Sequence, residues 1–286
     1  MGRARSGVPT DGDRRAGFGE GADVRLYAEV ARVTRRRLST YRGATFAGVV
    51  TNSVFGFVHA YVLLAVFRQR PDIGGFDATD AVTFTFVTQG LLMVVGIFGD
   101  SEQSERIHTG EVAMDLARPF DYQAWWAAVA YGRAAFYILA RGVPPFLLAA
   151  LVLPVRVPRD PATWLLFAAS VTVAVGLSFA YGFIVELSAF WFIEIRGLRQ
   201  FAWLSAQFLS GVFLPLVLFP DWMHRAMRML PFAGMIQLPI EIFLGKHHGA
   251  DLAAVFVRQL GWVAVLVVAG RLMLRRAVRK LEVQGG

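Results

Sequence analysis

Residues 101–123 read SEQSERIHTGEVAMDLARPFDYQ, from Ser101 to Gln123, and form the one long charged stretch lying between hydrophobic runs. On either side the chain turns almost continuously apolar, Ala81 to Phe98 before it and Trp125 to Leu153 after it. Runs of that length are what a bilayer core about 30 Å thick demands, at ~20 residues per helical crossing, so the charged stretch belongs at a membrane surface. Within it, Val112, Ala113 and Leu116 set against Glu111, Asp115 and Arg118 predict a short amphipathic helix. Pro119 ends that helix, because the residue before a proline avoids the helical conformation. A short rigid helix on a surface loop offers a grip to a partner; the competing reading is an ordinary solvated loop.

Working outward, the chain of 286 residues is 56% hydrophobic with 24 Phe, 7 Trp and only 17% charged residues, a composition no ordinary soluble domain has. Six runs are apolar enough to cross: Ala44–Phe67, Ala81–Phe98, Ala134–Leu153, Trp164–Phe192, Phe201–Phe219 and Leu252–Met273. The fold predicted is therefore an all-α membrane protein with six transmembrane helices. Residues 1–22, Gly- and Arg-rich, are expected to be disordered. Residues 23–43 predict an interfacial helix, with Leu26, Val30 and Val33 on one face and Arg25, Glu29, Arg32 and Arg36 on the other. Residues 44–276 make the transmembrane domain, and residues 277–286 a cytoplasmic tail.

The net charge of +8 would point to nucleic acid in a soluble protein, but a membrane protein explains it by topology. With both termini inside, roughly twenty-one of the 29 Lys and Arg fall on cytoplasmic segments and roughly eight outside, the bias the positive-inside rule requires. No nucleic-acid partner is expected; membrane lipids are, with Arg35, Arg36 and Arg37 facing anionic headgroups. Arg14-Arg15 lacks the short apolar segment and cleavage site of a twin-arginine signal.

Polar groups inside the runs have two readings. Thr51, Asn52, Ser53 and His59 in the first, and Thr83, Thr85, Thr88 and Gln89 in the second, serve helix packing or line a path for substrate. Gly43, Gly48 and Gly56 permit close helix approach. Pro144-Pro145 is expected to kink the third run and Pro215 to break the fifth. Glu186 lies ~37 Å beyond Pro161 at 1.5 Å per residue, which predicts that it emerges at the cytoplasmic face. Pro220 to Gly245 holds prolines at 220, 231 and 239, too many for a crossing, yet Met223, Ala226, Met227 and Leu230 share a face opposite His224, Arg225 and Arg228. Short external re-entrant helices between the fifth and sixth crossings are the expectation.

Several chemistries are excluded. The absence of Cys removes disulfides, thiol catalysis and Cys-based metal sites. No GxxxxGK[ST], HExxH or GxSxG occurs, and Gly245-Lys246 is followed by His247, so no phosphate-cradling loop forms there. His247-His248 could bind metal, but two neighbouring histidines without a third ligand read as an exposed loop. Carboxylates are nearly missing from the runs, which disfavours an ion-coupled carrier.

Two stretches resemble the ABC-2 family of ABC-transporter permeases, in its bacterial branch with a separate ATPase. One is Ile107-His108-Thr109-Gly110 through Leu116-Ala117-Arg118-Pro119-Phe120. The other is Gly211 to Gly245, GVFLPLVLFPDWMHRAMRMLPFAGMIQLPIEIFLG. The resemblance spans roughly Leu26 to Arg276; the N-terminal extension is not a family feature, and Arg133 and Arg141 blur the third crossing. It implies the permease subunit of an ATP-driven exporter in a bacterial inner membrane, not itself an enzyme. A second permease, the same or a sister chain, completes the pathway, and ATP and Mg sit on a partner ATPase, with no cofactor on this chain. Asp23–Leu38 corresponds to the family's entry helix and Glu111–Ala117 to its coupling helix. ATPase coupling then falls to Gly110, Glu111, Asp115, Arg118 and Pro119. The substrate pathway, formed by the first, second and fifth crossings, falls to Asn52, Phe55, Gln89, Gln207 and Phe208. The readings from other classes are a membrane-embedded enzyme using His59 or His108 as base and a structural membrane subunit.

Overall fold

A computed structural model describes residues 20–96 and 101–284. Of residues 1–22, expected to be disordered, 1–19 lie outside the described residues, as do Ile97 and Phe98 at the end of the second run, whereas 20–22 open the first helix. Those described are helical apart from turns, short 3-10 segments and one isolated bridge between Ile73 and Phe76. The helices are α1 (Glu20–Ser39), α2 (Arg42–Gln69), α3 (Ala78–Val94), α4 (Glu102–His108), α5 (Val112–Leu116) and α6 (Tyr122–Tyr137). After a π turn, Ile138–Gly142, come α7 (Val143–Val152), α8 (Pro161–Leu187), α9 (Arg196–Leu209), α10 (Asp221–Met229), α11 (Gln237–Phe243) and α12 (Gly249–Gln284).

Among the described residues, four helical stretches are long and apolar enough to cross a membrane: α2, α6 with α7, α8 and α12. The protein is thus a multi-pass, all-α membrane protein. α3, with 17 residues, is shorter but buried along nearly its whole length. The break in the fifth run comes earlier than Pro215 predicts. α9 stops at Leu209 and the chain turns at Gly211, whose φ of +89° suits glycine alone, and where a Cβ would stand 2.6 Å from Gln237 Oε1. Irregular backbone at such a place needs internal partners, and Gln237 Oε1 accepts from the Leu216 amide at 3.1 Å.

Side-chain caps set the helix starts. Asp77 accepts from the Asp80 amide and Asp80 from the Asp77 amide, a reciprocal box opening α3. Asp121 caps α6 through the Ala124 amide and Asp160 caps α8 through the Ala162 amide, followed by Pro161 at the first helical position. Where Pro144-Pro145 was expected to kink the third run, a π turn stands just before α7, and neither proline supplies an amide to the first turn of that helix.

α8 lies at the centre, against α12, α6 and α11, and Leu177, Met235, Ile236 and Phe243 pack in the core with α3. Lipid tails are as apolar as these side chains, so association rests on close packing and internal hydrogen bonds. Gly90 of α3 faces Gly142 at the π turn, where an added Cβ would sit 3.1 Å from the Gly142 Cα. Ser170 of α8 donates to Gln259 Oε1 of α12 at 2.9 Å, and Gln259 Nε2 donates to Gly234 O at 2.8 Å. α1 packs along α6, and Gly132 allows this because a methyl there would run into the Ala31 carbonyl.

Candidate functional site

α4 and α5 form a hairpin around Gly110, whose φ of +79° makes the turn. Arg106 of α4 closes it. Its Nε donates to Asp115 Oδ2 at 2.7 Å and its Nη2 to Asp115 Oδ1 at 2.8 Å, while Nη1 lies 3.0 Å from Glu111 Oε2. Bidentate pairing fixes orientation as well as distance, and the hydrogen bond to Asp115 holds the Arg106 guanidinium above its ordinary pKa despite partial burial. Val112 is buried with Tyr122, Trp126 and Phe183, which glues one side of α5 to the bundle. Glu111, Ala113, Met114, Ala117, Arg118 and Pro119 are left exposed, with Met114 at 61%.

The helix is where the sequence placed it, but the position of Asp115 differs. It is buried, not on the exposed face with Glu111 and Arg118. Its partner lies nine residues back across the glycine turn, a relation that helical periodicity does not carry.

The hairpin is also pinned to the transmembrane helices. Glu186, expected to emerge at the surface, is 3% exposed near the end of α8. Arg199 explains the difference: its Nε donates to Glu186 Oε1 at 2.8 Å and its Nη2 to Ser104 Oγ at 2.6 Å, while the Ser104 amide donates to Glu186 Oε2 at 3.3 Å. A carboxylate leaves water only when paired and hydrogen-bonded, and here Ser104 of α4 and Arg199 of α9 supply the partners to Glu186 of α8. Two further ties flank this one. Arg271 Nη1 stands 2.9 Å from Asp121 Oδ2, and the Asp121 amide donates to Tyr27 Oη at 3.1 Å, linking α12, α6 and α1.

The opposite end carries a second polar system, which sequence reasoning missed. Asp80, 1% exposed, meets Arg156 Nε at 2.9 Å and Lys246 Nζ at 2.6 Å, and Lys246 also donates to Gly75 O. Glu241 accepts from Arg228 Nη1 at 2.9 Å and Gln237 Nε2 at 2.8 Å, and bonds His247 Nε2 at 2.7 Å. His247 Nδ1 bonds the Asp251 carboxylate. His247 is buried, not part of an exposed loop: burial alone would lower its pKa, but the two carboxylates outweigh that and raise it. These ties join the loops after α2 and α7 to the segment holding α10 and α11. Among the described residues no group of three His, Cys, Asp or Glu converges as a metal site.

The nominated pathway residues are spread over three elements. Asn52 of α2 and Gln89 of α3 meet, Asn52 Nδ2 donating to the Gln89 carbonyl at 3.2 Å. Phe55 is 60% exposed on α2. Gln207 and Phe208 end α9, where Phe208 packs edge-to-face on Phe219 and the Gln207 carbonyl accepts from Ser210 Oγ. His59 of α2, Thr85 and Thr88 of α3, and Val212, Phe213 and Pro215 beyond α9 line one small void, which none of the five nominated residues lines. Gly56 lies against Phe86 and Gly48 against Arg141, whereas Gly43 has no close neighbour.

No curated protein matches this chain. A family model described as "ABC-2 family transporter protein" matches residues 55–285, taking in the α4–α5 hairpin, the broken fifth segment and α12. With that match over most of its length, the chain belongs to the ABC-2 family of transporter proteins.

Proposed function

We propose that the chain is the permease subunit of an ATP-driven exporter, working as a homo- or heterodimer with a separate ATPase that holds ATP and Mg. The single observation that carries this reading is the α4–α5 hairpin. It presents an exposed face through Glu111, Met114, Arg118 and Pro119, yet is locked from beneath by Arg106 and Asp115. A loop that merely connects two helices needs no such bracing. Force on α5 passes through Arg106 to α4, and through Ser104, Glu186 and Arg199 to α8 and α9. Alternating access follows if that force biases two packings of the helices.

Six crossings fit this reading: α2, α3 with its continuation, α6 with α7, α8, α9 with the irregular stretch to residue 219, and α12. Residues 220–248 then enter and leave on the outer side as re-entrant helices. Both termini and the hairpin face the cytoplasm of a bacterial inner membrane, in keeping with the cationic bias of those segments. Gly110 serves as the hinge of the coupling hairpin and Asp115 as its internal brace. Asn52, Phe55, Gln89, Gln207 and Phe208 face the pathway in the dimer.

The test places negative charge on the exposed face alone. Met114→Glu with Arg118→Glu leaves Arg106, Asp115 and Val112 in place, so expression and unfolding temperature should be unchanged while a co-expressed ATPase no longer co-purifies and transport stops. Normal transport by the double variant would end the proposal.

A further inference from the structure

Arg141 interrupts the third apolar run and has no counter-ion among the described residues. It leaves the π turn Ile138–Gly142 and reaches α2, where Nη2 donates to Ala44 O at 3.0 Å and the guanidinium lies 5.3 Å from the centre of the Tyr137 ring. Its head fills the notch at Gly48, where a methyl group would overlap the guanidinium carbon. Nε is buried and has no acceptor. No Asp or Glu among the described residues forms an ion pair with it.

Its surroundings make the charge harder to explain by packing. Ala44 stands in the first turn of α2, which begins at Arg42 and whose Tyr41 provides no side-chain cap. The free amides of a helix start carry roughly half a positive charge. Arg42, the uncapped helix start and Arg141 therefore add potential of one sign in one place. A guanidinium in a membrane segment is costly unless something negative meets it. Ala44 also opens the apolar run of α2, so the notch lies at the depth where headgroups begin.

We infer that this site binds the phosphate of one anionic phospholipid, with the accessible edge of the Arg141 guanidinium and the start of α2 as donors and Arg42 in the first turn of that helix. The inference stands on Arg141 and α2 and does not depend on the transport reading. A free phosphate shares the chemistry, but the notch borders the bilayer core, and a headgroup arrives there with its chains already in lipid.

The experiment is native mass spectrometry of the purified full chain against phosphatidylglycerol and phosphatidylcholine of equal chain length, with and without millimolar inorganic phosphate. The wild type should retain one phosphatidylglycerol in preference to phosphatidylcholine, and inorganic phosphate should not displace it. Arg141→Gln should lower that preference roughly tenfold, as expected for losing a charge-assisted hydrogen bond. Arg141→Lys should keep part of it. Gly48→Ala, which displaces the guanidinium without removing its charge, gives an independent reading should Arg141→Gln fail to fold, and it too should weaken the preference. Equal retention of the two lipids by the wild type, or an undiminished preference in either Arg141→Gln or Gly48→Ala, overturns the proposal. Displacement of the lipid by inorganic phosphate would reassign the notch to the free ion.

Discussion

Replacing Arg199 with Met removes the cation that Glu186 pairs with among the described residues and leaves that carboxylate 3% exposed, with Ser104, through its amide at 3.3 Å and its hydroxyl, as the remaining partner. Breaking a buried pair from one side costs about 3–5 kcal/mol, because the surviving charge stays buried. The Arg199 side chain is 20% exposed, so water already screens part of the attraction, and ~2–3 kcal/mol is the working figure. At ~2–4 °C per kcal/mol for chains of this size, the unfolding temperature should fall by about 5–10 °C. The 7 tryptophans report unfolding directly in detergent, and without cysteine no thiol dye would serve. Glu186→Gln in the Arg199→Met background should restore part of the loss, since no bare charge then remains; a coupling of ~2 kcal/mol is expected from the cycle. An Arg199→Met protein melting within about 1 °C of wild type, or strictly additive single variants, would refute the claim that this pair holds α4 to the bundle.

Other outcomes follow from particular contacts. Gly132→Leu should push α1 off α6, because the Ala31 backbone has no room to yield, and trypsin should then cut faster at Arg35 to Arg37; unchanged digestion would contradict the packing. His247 has a raised pKa, so the stability it contributes is full below its ordinary value near 6.5 and is lost as pH rises through the raised value. His224 runs the other way: burial lowers its pKa, and it costs stability as pH falls. The unfolding temperature should therefore drop on the alkaline side in wild type and flatten there in His247→Gln, and an equal slope in both would remove the role of His247. A cysteine introduced at Gln284 should resist impermeant thiol reagents in intact cells while one at exposed Trp222 reacts; labelling at Gln284 would reverse the topology.

What the sequence made readable was everything governed by spacing along one helix. Val112 and Leu116 foretold α5, Pro119 its end, and Pro144-Pro145 the distortion of the third run, because each acts within a turn or two of its own position. Charges paired across helices were not readable. Glu186 was placed by counting rise per residue, which has no knowledge of Arg199 or of Ser104, 82 residues away. Asp115 looked surface-bound because Arg106 lies across Gly110, and His247 looked exposed because Glu241 and Asp251 flank it from different elements. The break in the fifth run was assigned to Pro215, the stronger local signal, whereas the turn is made by Gly211 under Gln237, a tertiary contact.

The central claim is that an ATPase bears on the exposed face of α5. A photo-crosslinking amino acid at Met114, in membranes where the chain is expressed with its ATPase, tests it most directly, with exposed Leu151 at the opposite end of the bundle as control. The account predicts a crosslink to the ATPase from position 114 and none from position 151. A chain that crosslinks only to lipid at both positions would contradict it.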